Sequence, residues 1–130
     1  MAAVLLDTTV LIDLMRGAAR AREQLVALRR RGDDPFTCAV NVEELFRGLR
    51  PGEGGATATL IAGLRDAPLG QEEGQQAGEW RREFAQQGRS LAQADCLIAA
   101  AAMAVGGRLA TGNPNDFPMA ELTVEHWPVG

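Results

Sequence analysis

The 130-residue chain contains no lysine: all 13 of its basic residues are arginine. That absence excludes a P-loop, whose phosphate cradle needs its lysine, and every mechanism that passes through a lysine Schiff base. Histidine is almost missing as well, the one imidazole being His126 beside Trp127. A zinc centre of several imidazoles is therefore excluded, and a histidine triad could draw on this residue alone. A surface or partly packed ring is the simpler reading. The longest apolar run, Cys96 to Val105, is mostly alanine and too short to span a bilayer. No basic stretch precedes the first apolar run, and Asp7 interrupts that run early, so no secretory leader is expected. Without an export signal, the two cysteines, Cys38 and Cys96, are expected as reduced thiols and the cytoplasm as the compartment. A net charge of −4 means that the overall field does not draw in a polyanion. Local arginines or a bound metal would have to hold one.

What is present is ordinary for a globular chain, with 46% apolar and 23% charged residues. The length suits one domain over residues 1–130 with a single sizeable core. Short apolar runs alternate with helical patterns. Ala3 to Leu6 is a continuous apolar run ended by Asp7, as expected of a buried parallel strand. Thr8 or Thr9 can cap a helix through Met15 that turns Val10, Leu11 and Leu14 inward and stops at Gly17. A second helix over Ala18 to Arg31 places Leu25 and Leu28 inward, with a turn at Asp33-Asp34-Pro35. Phe36 to Val40 reads as the second strand. Asn41 then caps a helix whose Val42, Leu45, Phe46 and Leu49 recur at helical spacing. After a break at Pro51 to Gly55 come a helix near Ala56 to Arg65, an edge strand at Ala67-Pro68-Leu69, and a polar helix over Gln71 to Gln87. Ser90 and Gln93 form a capping box for the alanine-rich helix through Val105. Gly106-Gly107 ends that helix, Leu109-Ala110 is a buried strand, and Leu122 to Val124 is the last. The order implies an α/β fold with a mainly parallel central sheet between helices.

On that map the acids fall at strand ends. Asp7 ends the first strand, Glu43 and Glu44 open the helix after the second, Asp95 lies in the first turns of the alanine-rich helix, and Asp116 follows the strand at Leu109. Sites in open parallel sheets form outside the carboxyl ends of the strands, so these acids are expected to converge. Like charges raise one another's pKa, and Mg2+ or Mn2+, hard ions that prefer oxygen, are their natural partners. With no lysine and no suitable histidine, phosphodiester hydrolysis assisted by such an ion is the best-supported chemistry. Each acid alone has a plainer role: Asp7 as a helix cap, Glu43 and Glu44 on a helix dipole, Asp116 on turn amides. Asp95 is hardest to explain this way, because it sits against the packing stripe of a largely buried helix.

Four blocks of sequence, LLDTTVLIDL, EELFRGL, ADCLIAAAAM and LATGNPNDF, resemble in order the motifs of PIN-domain ribonucleases, in particular the VapC toxins of prokaryotic toxin–antitoxin pairs. The resemblance implies a three-layer PIN-like fold, RNA cleavage dependent on magnesium or manganese, homodimerisation, and inhibition by a small antitoxin. It assigns Asp7 and Asp95 as principal metal ligands, with Glu44 and Asp116 as further acids. Glu43 is the rival of Glu44, since neither lies on the apolar stripe. Asn113 stands where many relatives carry another aspartate, and Gly112 where many carry a basic residue. Thr9 and Thr111 match hydroxyl positions that hydrogen-bond the carboxylates or a water. A nuclease of RNA maturation is a variant within the favoured class, and a non-catalytic PIN-like module that binds RNA or a partner is an alternative of another class. A phosphate-accepting signalling domain also gathers acids around magnesium, but the lack of lysine counts against it. Arg29-Arg30-Arg31 and Arg81-Arg82 could pair with phosphates, yet each reads more simply as a solvated helix face. Trp80, Phe84 and Trp127 read more simply as core residues than as base-stacking platforms.

Overall fold

Strand β1 (Ala3–Leu6) is buried on both faces and sends Val4 and Leu6 to one side and Leu5 to the other, the alternation that a pleated strand imposes. This computed structural model describes residues 2–130. Helices α1 (Thr8–Met15) and α2 (Ala19–Arg30) follow, then β2 (Asp34–Cys38), α3 (Ala39–Arg47), α4 (Gly54–Ala62), β3 (Arg65–Ala67), α5 (Gln71–Gln86), α6 (Gln93–Ala104), β4 (Arg108–Thr111), a 3-10 turn (Pro114–Asp116) and β5 (Val124–His126). The five strands form one sheet in the order β3-β2-β1-β4-β5, and every neighbouring pair is parallel. Their carboxyl ends therefore share one edge.

Helices cover both faces. Val10, Leu11, Leu14, Leu25, Leu28 and Leu45 pack with Val4, Leu6, Ala110 and Trp127 on one face. Trp80 and the buried stripe of α6 pack with Leu5 and Leu109 on the other. The arrangement is the expected three-layer α/β sandwich. Two fully buried layers explain why the strands read as continuous apolar runs.

The sequence reading differs from the structure at several boundaries. Strand β2 begins at Asp34, so Asp34 and Pro35 are not part of a turn. Pro35 pairs with Val4 on β1, whereas β3 joins β2 only from Phe36, and the missing N–H of proline faces no partner strand there. Helix α3 starts at Ala39, and Asn41 is its third residue rather than its cap; the cap is Cys38. Phe46 is 46% exposed, and the inward positions of α3 are Asn41 and Leu45. The short edge strand is Arg65–Ala67, not residues 67–69. Ser90 does not cap α6: its cap residue is Ala92, with no side-chain bond. The last strand is Val124–His126, two residues later than expected, with Trp127 N–H donating to the Thr111 carbonyl at 2.8 Å. Trp80 and Trp127 are core residues and His126 is exposed.

Gly106 and Gly107 set the position of β4. Gly106 adopts φ +67° and donates to the Met103 carbonyl, while Gly107 donates to that of Ala102, the paired bonds of a Schellman ending. The chain then passes so close to β1 that a Cβ on Gly107 would lie 2.5 Å from the Ala3 carbonyl oxygen. Backbone on both sides leaves nothing that can yield cheaply. Gly107→Ala should therefore lower stability by about 1–3 kcal/mol, read as a lower urea midpoint with an unchanged slope. An unchanged midpoint would mean that β1 and β4 do not approach as described.

Candidate active site

Strand order reverses beside β1, with β2 and β3 on one flank and β4 and β5 on the other. A crevice opens outside the carboxyl ends at such a point, and Asp7 stands there, its N–H donating to the Ala110 carbonyl of β4 at 2.8 Å. Asp7 is the backbone cap of α1, but its side chain makes no capping bond. Instead its Oδ2 accepts from the Thr111 hydroxyl at 2.7 Å and from the Thr9 hydroxyl at 3.3 Å. The role of a mere helix cap therefore does not describe this carboxylate.

Both hydroxyls are aimed by the loop after β4. Gly112 N–H donates to Thr9 Oγ1 at 3.1 Å and Asn113 N–H to Thr111 Oγ1 at 3.0 Å. Each oxygen thus accepts an amide and turns its own hydrogen toward Asp7. Asp7 is only 5% exposed. Its pKa is raised, chiefly because burial penalises the charge, with Glu44 adding repulsion. The Thr111 hydroxyl, the Thr8 amide and the Thr9 hydroxyl offset part of this.

Helix α3 packs on α1 and also reaches α6, which brings Glu44 toward Asp7 and Asp95. Glu44 Oε1 accepts from the Thr8 hydroxyl at 2.7 Å, and its other oxygen lies 3.9 Å from the Arg47 guanidinium. Glu43 points elsewhere, 61% exposed and paired with Arg47 at 3.1 Å one turn on. The helix thus turns one of the two rival glutamates into the crevice and the other into solvent. Asp95 occupies the first turn of α6, half-buried. Burial raises its pKa to about 6, and Asp116, Asp7 and Glu44 push the same way, in that order, with no cation or hydrogen bond opposing them. Asp116 is exposed in the 3-10 turn, in a loop tied down by Arg89, whose guanidinium donates to the Asn115 carbonyl. Asn113 is exposed, and it is its backbone that engages Thr111.

Asp7, Glu44, Asp95 and Asp116 thus gather from four separated places close enough to repel one another. As placed, no three acidic, cysteine or histidine side chains among the described residues converge on a single point tightly enough to ligate one ion. The donor set itself is all oxygen, and the Arg47 guanidinium stays 3.9 Å from Glu44. Such a set has the chemistry of a hard divalent cation site. Two participants escaped the sequence reading. Thr8 had been considered only as a cap, yet its hydroxyl bonds Glu44. Asn41, read as a helix cap, is fully buried and donates to Thr8 at 3.0 Å. Its spacing of three from Glu44 was the available signal. Gly112 lies under the C-terminal segment, where a Cβ would collide with Val129, and Gly130 N–H donates to Asp13 at 3.0 Å.

The sequence pattern of the PIN domain matches residues 4–120. The chain belongs to the PIN domain family. This PIN domain is 34% identical over 119 residues to Ribonuclease VapC10 of Mycobacterium tuberculosis, covering 91% of this chain and 88% of that one. Its fold is similar to VapBC2 from Rickettsia felis bound to a promoter DNA fragment, with a TM-score of 0.83, 21% identity and coverage of 96% and 98% of the two chains. It is also similar to a toxin–antitoxin complex from Klebsiella pneumoniae, with a TM-score of 0.73, 23% identity and coverage of 90% and 92%. The five-stranded parallel sheet between helices is therefore a PIN fold, here with glycine at 112 and asparagine at 113.

The environment of Asp95 has a consequence for stability. Its carboxyl keeps its proton up to about pH 6 in the fold, against 3.8 as the ordinary value. Between those values rising pH ionises the unfolded chain first, so stability falls across that window and the penalty persists above it. In metal-free protein, Asp95→Asn should melt a few degrees higher than wild type at pH 7. This corresponds to about 1 kcal/mol once solvent screening is allowed for. The two should converge near pH 4. Equal melting temperatures at pH 7 would mean that neither burial nor the other acids disfavour the Asp95 charge.

Proposed function

We propose that this chain is a divalent-metal-dependent endoribonuclease acting as the toxin of a type II toxin–antitoxin pair. The observation that carries the chemistry is Asp95, pressed upward to about pKa 6 by burial and by Asp116, Asp7 and Glu44 with nothing opposing. A carboxylate cluster in that condition is stabilised by a cation, and oxygen-only donors suit Mg2+ or Mn2+. Asp7 and Asp95 would hold the ion, with Glu44 and Asp116 completing the acidic site. When bound, such an ion supplies an activated water and neutralises charge on the phosphoryl group.

The remaining work falls to the chain itself. Thr9 and Thr111 hold Asp7 by two hydroxyls, so its carboxylate presents one fixed face. Asn113 contributes its amide and no charge. Glu44 is held by Thr8 through one oxygen, and its other oxygen lies 3.9 Å from the Arg47 guanidinium. RNA as substrate is supported by the ribonuclease named above as a 34% identical relative. An antitoxin as partner is supported by the toxin–antitoxin complex of like fold. Val26 on α2, 47% exposed between Arg22 and Arg30, and Phe46 on α3, 46% exposed beside Arg47, suit an apolar helix rimmed by carboxylates. A homodimer is the expected assembly and the cytoplasm the expected compartment. Among the described residues no helix is long and apolar enough to cross a membrane.

Cleavage assays decide between the glutamates. Glu44→Gln should lower RNA cleavage at least about a hundredfold, while Glu43→Gln keeps most of it; the reverse ranking would shift the site register by one residue. Calorimetry should show magnesium or manganese binding in wild type and its loss in Asp7→Asn and Asp95→Asn, each confirmed folded. Undiminished binding in both would remove the two ligands assigned here.

Growth tests the biological role. Expressed alone, wild type should arrest growth and Asp7→Asn should not, with an adjacent antitoxin restoring growth and co-purifying. Equal harmlessness at equal soluble levels would make a maturation nuclease or a non-catalytic module the better account.

A further inference from the structure

A chain of hydrogen bonds runs from the backbone of β2 to Glu44. Cys38 N–H donates to Asn41 Oδ1 at 3.0 Å, and the Cys38 thiol reaches the same oxygen at 3.1 Å. Asn41 Nδ2 donates to Thr8 Oγ1 at 3.0 Å, and that hydroxyl donates to Glu44 Oε1 at 2.7 Å. The direction is fixed at its inner end. A backbone N–H can only donate, so Asn41 must present its oxygen to Cys38 and its NH2 to Thr8. Thr8 Oγ1, occupied as an acceptor, is left with its hydrogen to give, and Glu44 takes it.

Capping of α3 explains only half of this. The bond from Cys38 N–H to Asn41 closes the helix start, and an aspartate at 41 would accept it equally well. The NH2 of Asn41 adds nothing to that cap. It is nevertheless fully buried and spent on Thr8, 33 residues away in sequence. Thr8 in turn opens α1 one residue after Asp7, so its hydroxyl links the helix bearing Glu44 to the strand end bearing Asp7.

We propose that Asn41 and Thr8 are positioning residues that hold Glu44 in a single rotamer facing Asp7 and Asp95. The inference rests on the nuclease reading for what Glu44 does, but not for where it points. With Oε1 tethered to Thr8, the carboxylate is held in one orientation, its Oε2 3.9 Å from the Arg47 guanidinium, and Glu44 does not form the closer 3.1 Å pair that Glu43 makes with Arg47. A displacement of about 1 Å at such a group costs up to about a hundredfold in rate.

The test uses Thr8→Val, which keeps the side-chain shape and removes the hydroxyl, and Thr8→Ser, which keeps the hydroxyl. In magnesium, Thr8→Val should lower kcat for RNA cleavage about ten- to a hundredfold, with KM within about twofold, and Thr8→Ser should retain most of kcat. In a Glu44→Gln background Thr8→Val should cost nothing further, because its only route to the reaction is then gone. In metal-free protein the Glu44 carboxyl carbon resonance should move in Thr8→Val and hold in Thr8→Ser, with all variants melting cooperatively. Wild-type kcat in Thr8→Val, an unmoved Glu44 resonance, or the same loss in the Glu44→Gln background would each overturn the relay. Absence of cleavage by wild type would overturn the nuclease reading instead, and the resonance would still decide the relay.

Discussion

The structure turns on a carboxylate placed where charge is least welcome. Asp7 is buried at the end of the central strand, and an ionised group there is costly unless hydrogen bonds meet it. Thr9 and Thr111 supply those bonds, and amides of the loop after β4 aim both hydroxyls. The arrangement needs β4 beside β1 in one register, which the close passage of Gly107 past Ala3 enforces. A glycine pair that ends a helix is thus tied, through four strand residues, to the orientation of an acidic side chain at the opposite end of the sheet.

Asp95 and Glu44 extend the same theme with less compensation. Asp7 has two hydroxyls, Glu44 has one, and none of the influences on Asp95 lowers its pKa. These three acids are therefore graded rather than equivalent. Asp95, raised to about 6 with nothing opposing, is where a cation at the cluster has much to offer.

Much of this was legible in the sequence, and the reason is periodicity. Strands buried on both faces and helices with clear apolar stripes, such as Val10, Leu11 and Leu14, leave signals that survive without coordinates. The acids at strand ends followed from placing those elements. Boundaries set by single polar groups were not legible. Asn41 resembles a cap and serves as one from inside the helix, bonding back to Cys38. Ser90-x-x-Gln93 spells a capping box that the chain does not form. The apolar stripe could not separate Glu43 from Glu44, since neither lies on it and Phe46, which belongs to it by spacing, lies in solvent. Thr8 could not be separated from Thr9 by composition, since only the three-dimensional position of Glu44 distinguishes them.

The C-terminal segment over Gly112 links two distant positions by volume alone. A Cβ at 112 and the Val129 side chain compete for the same space beside Thr9, whose hydroxyl would lie 3.3 Å from that carbon. Positions 112 and 129 are therefore coupled through shared space. A side chain at 112 calls for the exposed Val129 to turn aside, so bulk added at one position is met by displacement of the other.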